Sequence, residues 1–174
     1  ASNEHIKLSI KFYYIIYITY NISMKNFYQL LRIRHYFKNF LILLPLFFIE
    51  QDLNFTNIKI LSVTFLIFCI FASIVYIYND INDVYLDRKH PRKKKDKPIA
   101  SKQITIANAY LILIFLLFTG SYLLYLNQNL IYLFLTYVIV NLSYTHLLKK
   151  ILILDIFILS SNYVLRVLAG CITL

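Results

Sequence analysis

Asn79, Asp80, Asp83 and Asp87 form the pattern NDxxDxxxD where a long apolar run meets a strongly basic loop. If one helix continues through them, the three carboxylates fall at i, i+3 and i+7 and share a face. Like charges that close repel unless a cation lies among them. Hard oxygen donors favour Mg²⁺, which keeps part of its water shell and takes further ligands from substrate phosphates. Eight Lys or Arg residues follow within 88–102. An acidic cluster followed by a basic one, at a membrane surface, has the chemistry of a Mg²⁺–diphosphate site.

Each cluster also has a plainer reading. Basic runs beside apolar spans often only set topology or bind anionic lipid headgroups. The acids could simply form salt bridges with Arg88 and Lys89. A topology signal, however, has no need of Asp80, Asp83 and Asp87 in the same loop. Acidic residues next to a bilayer are costly and tend to be functional.

The elements that must hold these residues follow from composition. The chain is 60% hydrophobic and 17% aromatic, with two glycines and three prolines. Its apolar runs are too long and continuous for a soluble core, which makes it an all-α, polytopic helical membrane protein. The net charge of +10 is concentrated in loops flanking apolar spans. This is the positive-inside pattern, and no nucleic-acid partner is expected. Cys69 and Cys171 lie in apolar runs without CxxC spacing and read as buried, inert thiols.

Residues 26–34 fit a short helix at the membrane interface. Spans are expected over 36–49, 58–78, 104–126 and 130–148, with a fifth beginning at 151. The first is short for a bilayer and is kinked or started by Pro45. Basic residues alternate from side to side. Lys25, Arg32, Arg34 and Lys38 precede span one, Glu50 and Asp52 follow it, the basic block follows span two, and Lys149 and Lys150 follow span four. The N-terminus and the Asp-rich loop are therefore expected on the cytoplasmic side, in a bacterial inner membrane. Met24 reads as the natural start, with residues 1–23 upstream or poorly defined. Arg166 is a charge inside an apolar run, which calls for a partner. Asp155 lies about three turns away on the same helix, too far for contact. That leaves a ligand or another helix.

Three stretches resemble the UbiA superfamily of membrane prenyltransferases. Leu30-Leu31-Arg32, with Lys38-Asn39 and Pro45, resembles its opening segment. Asn79–Asp87 continuing into Arg88-Lys89-His90-Pro91 and Lys97-Pro98-Ile99-Ala100-Ser101 resembles its first Asp-rich motif. Tyr144, Lys149, Asp155 and the run Tyr163-Val164-Leu165-Arg166-Val167-Leu168-Ala169-Gly170 resemble a further segment of the family, YSxxLK…D…FVLRVLAG. The DRxHP and LRVLAG elements favour the polyprenyl-phosphate phosphoribosyltransferase branch. Lys97 and Lys102 stand where that branch carries Arg and Gly.

The resemblance implies Mg²⁺-dependent transfer of 5-phosphoribose from phosphoribosyl pyrophosphate (PRPP) to a polyprenyl phosphate, a cell-wall precursor lipid. Asp80, Asp83 and Asp87 would be the metal ligands, and Asn79 a neutral oxygen or a residue that orients a carboxylate. Arg88, Lys93 and Lys97 would contact PRPP phosphates, and His90 would cap a helix or bond a phosphate. Lys38 and Asn39 would face the same cavity, and Arg166 would meet the lipid phosphate. The family bundle has about nine spans and a second Asp-rich motif, against about five spans here. Residues 24–174 thus read as the N-terminal part of such a domain, and a homo-oligomer is one expected partner state. Two rivals stay open: an aromatic polyprenyltransferase of the same superfamily, and an inactive fragment or membrane scaffold.

Overall fold

In lipid, a backbone with no water to bond must satisfy itself, and for runs this apolar the helix does so. The computed structural model describes residues 24–48, 55–146 and 152–174. Their order is α1 (Met24–Leu30), a 3₁₀ helix η1 (Ile33–Phe47), α2 (Phe55–Asn82), α3 (Val84–Lys89), α4 (Pro91–Asp96), α5 (Ile106–Leu126), a 3₁₀ turn η2 (Gln128–Leu130), α6 (Ile131–His146) and α7 (Leu152–Thr173). Among the described residues there is no strand. The all-α membrane fold is as expected.

Among the described residues, three helices are long and apolar enough to cross a membrane: α2, α5 and the Ile156–Thr173 part of α7. The expected first and fourth spans are shorter, at 15 residues in η1 and 16 in α6. Winding explains how the first can still reach far. At about 2.0 Å rise per residue, a 3₁₀ helix of this size extends about 30 Å, the thickness of a hydrocarbon core. Residues 1–23, Glu50, Asp52, Lys149, Lys150 and the side chain of Asp155 lie outside the described residues, so the readings placed on them do too.

Helix α2 is the central element. Over its most apolar stretch 56% of residues are buried, against 17% in α5 and 22% in α7. Phe68 and Phe71 pack against Phe134 of α6 at 4.7 Å between ring centroids, and Ile42, Leu61, Ile67 and Ala169 complete this core. The outer side of α5 exposes Leu111, Ile114, Phe115 and Phe118, as suits contact with lipid tails. Gly170 brings α7 against η1. A Cβ there would stand 2.2 Å from the Ile42 carbonyl oxygen, so only glycine permits the approach.

A second core underlies the loop. Leu30, Ile77, Ile81, Val84, Ile99, Ile104, Ala109 and Leu113 are all buried in it. Ile99 and Ile104 fold the end of the basic segment back between α2 and α5, while Leu30 seats α1 beside them. This apolar anchor fixes the charged residues around it. Of the two cysteines, Cys69 is buried as expected, but Cys171 is exposed on α7.

Candidate functional site

The acidic motif spans the junction between α2 and α3. Helix α2 ends at Asn82, and Asp83 sits between the two helices with φ −90° and ψ 1°. The four-residue hydrogen-bond spacing nevertheless continues: Asp83 N–H donates to Asn79 O, and Asp87 N–H to Asp83 O, both at 2.9 Å. Asp80 and Asp87 are buried, while Asp83 is half-buried.

The two buried carboxylates meet through cations. Lys97 Nζ lies 2.8 Å from Asp80 Oδ1 and 2.6 Å from Asp87 Oδ2. Arg32 Nη2 donates to Asp80 Oδ1 at 2.7 Å, and Lys93 Nζ lies 3.7 Å from Asp87 Oδ1. Arg32 reaches Asp80 from a left-handed backbone conformation, φ 52° and ψ 44°, and its guanidinium stacks 4.7 Å from the Tyr76 ring centroid. Such a conformation is costly for a non-glycine residue and is held by its surroundings. Among the described residues, no group of three or more His, Cys, Asp or Glu side chains is placed to hold a metal ion. The three acids therefore do not converge as the single-face spacing suggested. Two of them share an ammonium group, because the loop core brings Lys97 back over them.

Above these ion pairs opens a cavity of about 790 Å³. Lys25, Arg32, Arg34, Arg92, Lys93 and Lys97 line it, against only Asp80 and Asp96. His90 and His35 also face it. His90 Nδ1 accepts the Lys93 backbone N–H at 3.4 Å, capping α4, with Pro91 in the first helical turn where its missing N–H costs nothing.

A second, smaller cavity of about 100 Å³ lies between α2, η1, α6 and α7. Lys38, Asn79, Asn141, Tyr144, Asn162 and Arg166 are among its lining residues. Arg166 is buried. Its Nε donates to Asn39 Oδ1 at 2.7 Å and its Nη1 donates to the Asn162 carbonyl. The Tyr163 ring is near two cations, with Lys38 Nζ 5.7 Å and Arg166 Cζ 5.8 Å from its centroid. Asn79 Oδ1 is buried without a hydrogen-bond partner.

The expected site residues thus divide between two levels. Asp80, Asp87, Lys93, Lys97 and His90 gather at the loop, with Asp83 at the helix junction beside them. Lys38, Asn39, Asn79 and Arg166 gather within the bundle. Arg88 joins neither. It lines a separate cleft with Lys89, Lys94 and Lys95, and its Nε is buried without a hydrogen-bond partner. Sequence reasoning missed Arg32 as the partner of Asp80, along with the cavity residues Asn141 and Asn162. A signal for the last two was present, since amides inside apolar spans seldom occur without a partner. Here they bond each other, Asn141 Nδ2 to Asn162 Oδ1 at 2.9 Å and Asn162 Nδ2 to Asn141 Oδ1 at 3.2 Å.

These features define a helical integral membrane protein with a cation-rich site at its loop face and a second polar cavity inside the bundle. The chain belongs to the UbiA prenyltransferase family, whose model matches residues 40–174. It is 36% identical over 145 residues to the decaprenyl-phosphate phosphoribosyltransferase of Mycolicibacterium smegmatis, covering 80% of this chain and 45% of that protein. To the protein of the same name from Mycobacterium tuberculosis H37Rv it is 33% identical over 147 residues, covering 80% and 48%. To the nodulation protein NoeC of Azorhizobium caulinodans it is 29% identical over 140 residues, covering 80% and 45%. The chain spans just under half the length of these curated relatives.

Proposed function

We propose that the protein takes part in Mg²⁺-dependent transfer of 5-phosphoribose from PRPP to a polyprenyl phosphate, on the cytoplasmic side of a bacterial inner membrane. The observation that carries this reading is the stacking of two cation-rich cavities around one acidic helix end. The outer, larger cavity suits a soluble polyanion. The inner one is lined by Lys38 and Arg166, with no acidic residue among the described ones, and suits a single phosphoryl group entering from the lipid. The mycobacterial relatives, decaprenyl-phosphate phosphoribosyltransferases by name, support a polyprenyl phosphate and a phosphoribosyl group as the reacting partners.

The reaction makes modest demands on the protein. A lipid phosphate is already anionic at neutral pH, so its oxygen forms the bond to the anomeric carbon without a strong general base. The bond between that carbon and the diphosphate oxygen breaks, and the electron pair leaves with diphosphate. Arg32, Lys93 and Lys97 would hold the departing oxygens, with His90 fixing the turn that presents Lys93. Arg88 would serve only if α3 turned toward the outer cavity.

The donors fit a hard divalent ion in kind. Asp80, Asp83 and Asp87 offer carboxylates, and Asn79 Oδ1 is a buried acceptor still lacking a partner. When bound, Mg²⁺ would neutralise and orient the diphosphate leaving group. Lys97 now bridges two of these carboxylates, so the same ammonium could turn to phosphate oxygens once they arrive.

The test supplies membranes containing the chain with Mg²⁺, ribose-labelled PRPP and a polyprenyl phosphate. Label in the lipid extract above that of an Asp83→Asn control is the expected result. Lipid label no higher than the control refutes phosphoribosyl transfer by this chain.

A further inference from the structure

We infer that Asn39 is a positioning residue that aims the Arg166 guanidinium into the inner cavity while leaving its charge unneutralised. The inference rests on the proposed reading of that cavity as an anion site.

Asn39 is 1% exposed, between η1 and α2. Its amide orientation is set from both ends. Nδ2 donates to Cys69 Sγ at 3.2 Å, and Oδ1 accepts from Arg166 Nε at 2.7 Å. Arg166 is 5% exposed, and among the described residues no carboxylate pairs with it. A buried guanidinium is normally matched by an acid, because desolvating an unpaired charge is unfavourable. Here it is held by neutral groups: the Asn39 amide, the Asn162 carbonyl and the rings of Phe68 and Tyr163. These supply hydrogen bonds and π-electron density without cancelling the charge. Lys38 adds a second positive group, its Nζ 5.7 Å from the Tyr163 ring centroid.

An aspartate at position 39 would fit the same space and would turn this arrangement into a closed ion pair. The neutral amide keeps the cation available. The ligand chemistry it serves is a phosphoryl oxyanion, whether a lipid headgroup or free phosphate.

The experiment measures binding of farnesyl phosphate to the full chain in detergent, with farnesol as the uncharged control and inorganic phosphate as competitor. The variants are Arg166→Gln, Asn39→Asp and the double variant. Each single variant should weaken farnesyl phosphate binding about tenfold, the loss expected when a charge-assisted hydrogen bond is removed. The double variant should be no weaker than Arg166→Gln, because Asn39 acts only through Arg166. Asn39→Asp should also keep or raise the melting temperature, which a merely structural role does not couple to lost affinity. Competition by inorganic phosphate would assign the site to free phosphate, and its failure to compete would assign it to the lipid headgroup; either supports the inference.

Unchanged affinity in Arg166→Gln refutes the cavity reading itself, and the inference with it. Weakened binding in Arg166→Gln with native affinity in Asn39→Asp overturns the positioning role alone. Should Asn39→Asp fail to fold, Asn39→Leu keeps the volume and removes the acceptor. Native affinity in that variant overturns the inference equally.

Discussion

Lys97 is the most exacting point at which to test the loop-level geometry. Lys97→Met keeps the length of the side chain and removes the ammonium. Asp87 then loses its 2.6 Å contact and keeps only Lys93 at 3.7 Å, while Asp80 loses its 2.8 Å contact but retains Arg32 at 2.7 Å. Both carboxylates are 2% exposed, so water cannot replace the missing partner. Breaking a buried ion pair by deleting one partner costs about 3–5 kcal/mol. Lys97 is itself 16% exposed and Asp80 remains paired, which places the expected loss near the lower end, about 3 kcal/mol. That is a factor of about 10² in the folded-to-unfolded ratio. Thermal unfolding in mild detergent, followed by helical circular dichroism, reads it directly. Lys97→Arg should behave like the native protein, because a guanidinium fork can serve two carboxylates at once. Millimolar Mg²⁺ should restore part of the loss in Lys97→Met when Na⁺ at equal ionic strength does not, since a ligand that binds only the folded state stabilises it. A loss below about 1 kcal/mol in Lys97→Met would place Lys97 among ordinary surface lysines and refute the argument.

Other perturbations test other parts of the structure. Gly170→Ala puts a Cβ 2.2 Å from the Ile42 carbonyl oxygen, a backbone atom that cannot swing aside. It should destabilise by about 3 kcal/mol or more, seen as a lowered melting temperature. Lys102 has φ 65°, a left-handed conformation that glycine adopts freely. Lys102→Gly should therefore raise stability by about 0.5–1 kcal/mol in the same assay, and a loss would show that the side chain matters more than the backbone. Asn162→Leu breaks the reciprocal amide pair with Asn141 and should cost about 1 kcal/mol, measured by unfolding in detergent.

Much of this protein is legible in its sequence because the signals are local. Continuous apolar runs dictate membrane helices wherever they occur, and α2, α5 and α7 follow them closely. The polar turn at Asn127-Gln128-Asn129 interrupts two such runs and becomes η2. Pro91 starts a helix because its ring suits the first turn, and His90 caps it. The acidic motif and the basic block are also adjacent in the chain, so their joint role could be read without a fold. Lys102 shows a local rule broken in view, since the left-handed backbone found there is one that glycine adopts freely.

Tertiary structure decided what lies far apart in sequence. Whether Asp80 faces a metal or an ammonium depends on where Ile99 and Ile104 bury, because that apolar anchor returns Lys97 to the end of α2. Arg32 becomes a partner of Asp80 only because Leu30 is seated in the same core. Asn39 and Arg166 are separated by most of the chain, and their bond exists because Gly170 lets α7 close on η1. Composition and spacing determine which segments enter the membrane and which residues carry charge. They do not determine which charges meet, since that is settled by nonlocal packing whose free energy no short stretch of sequence contains.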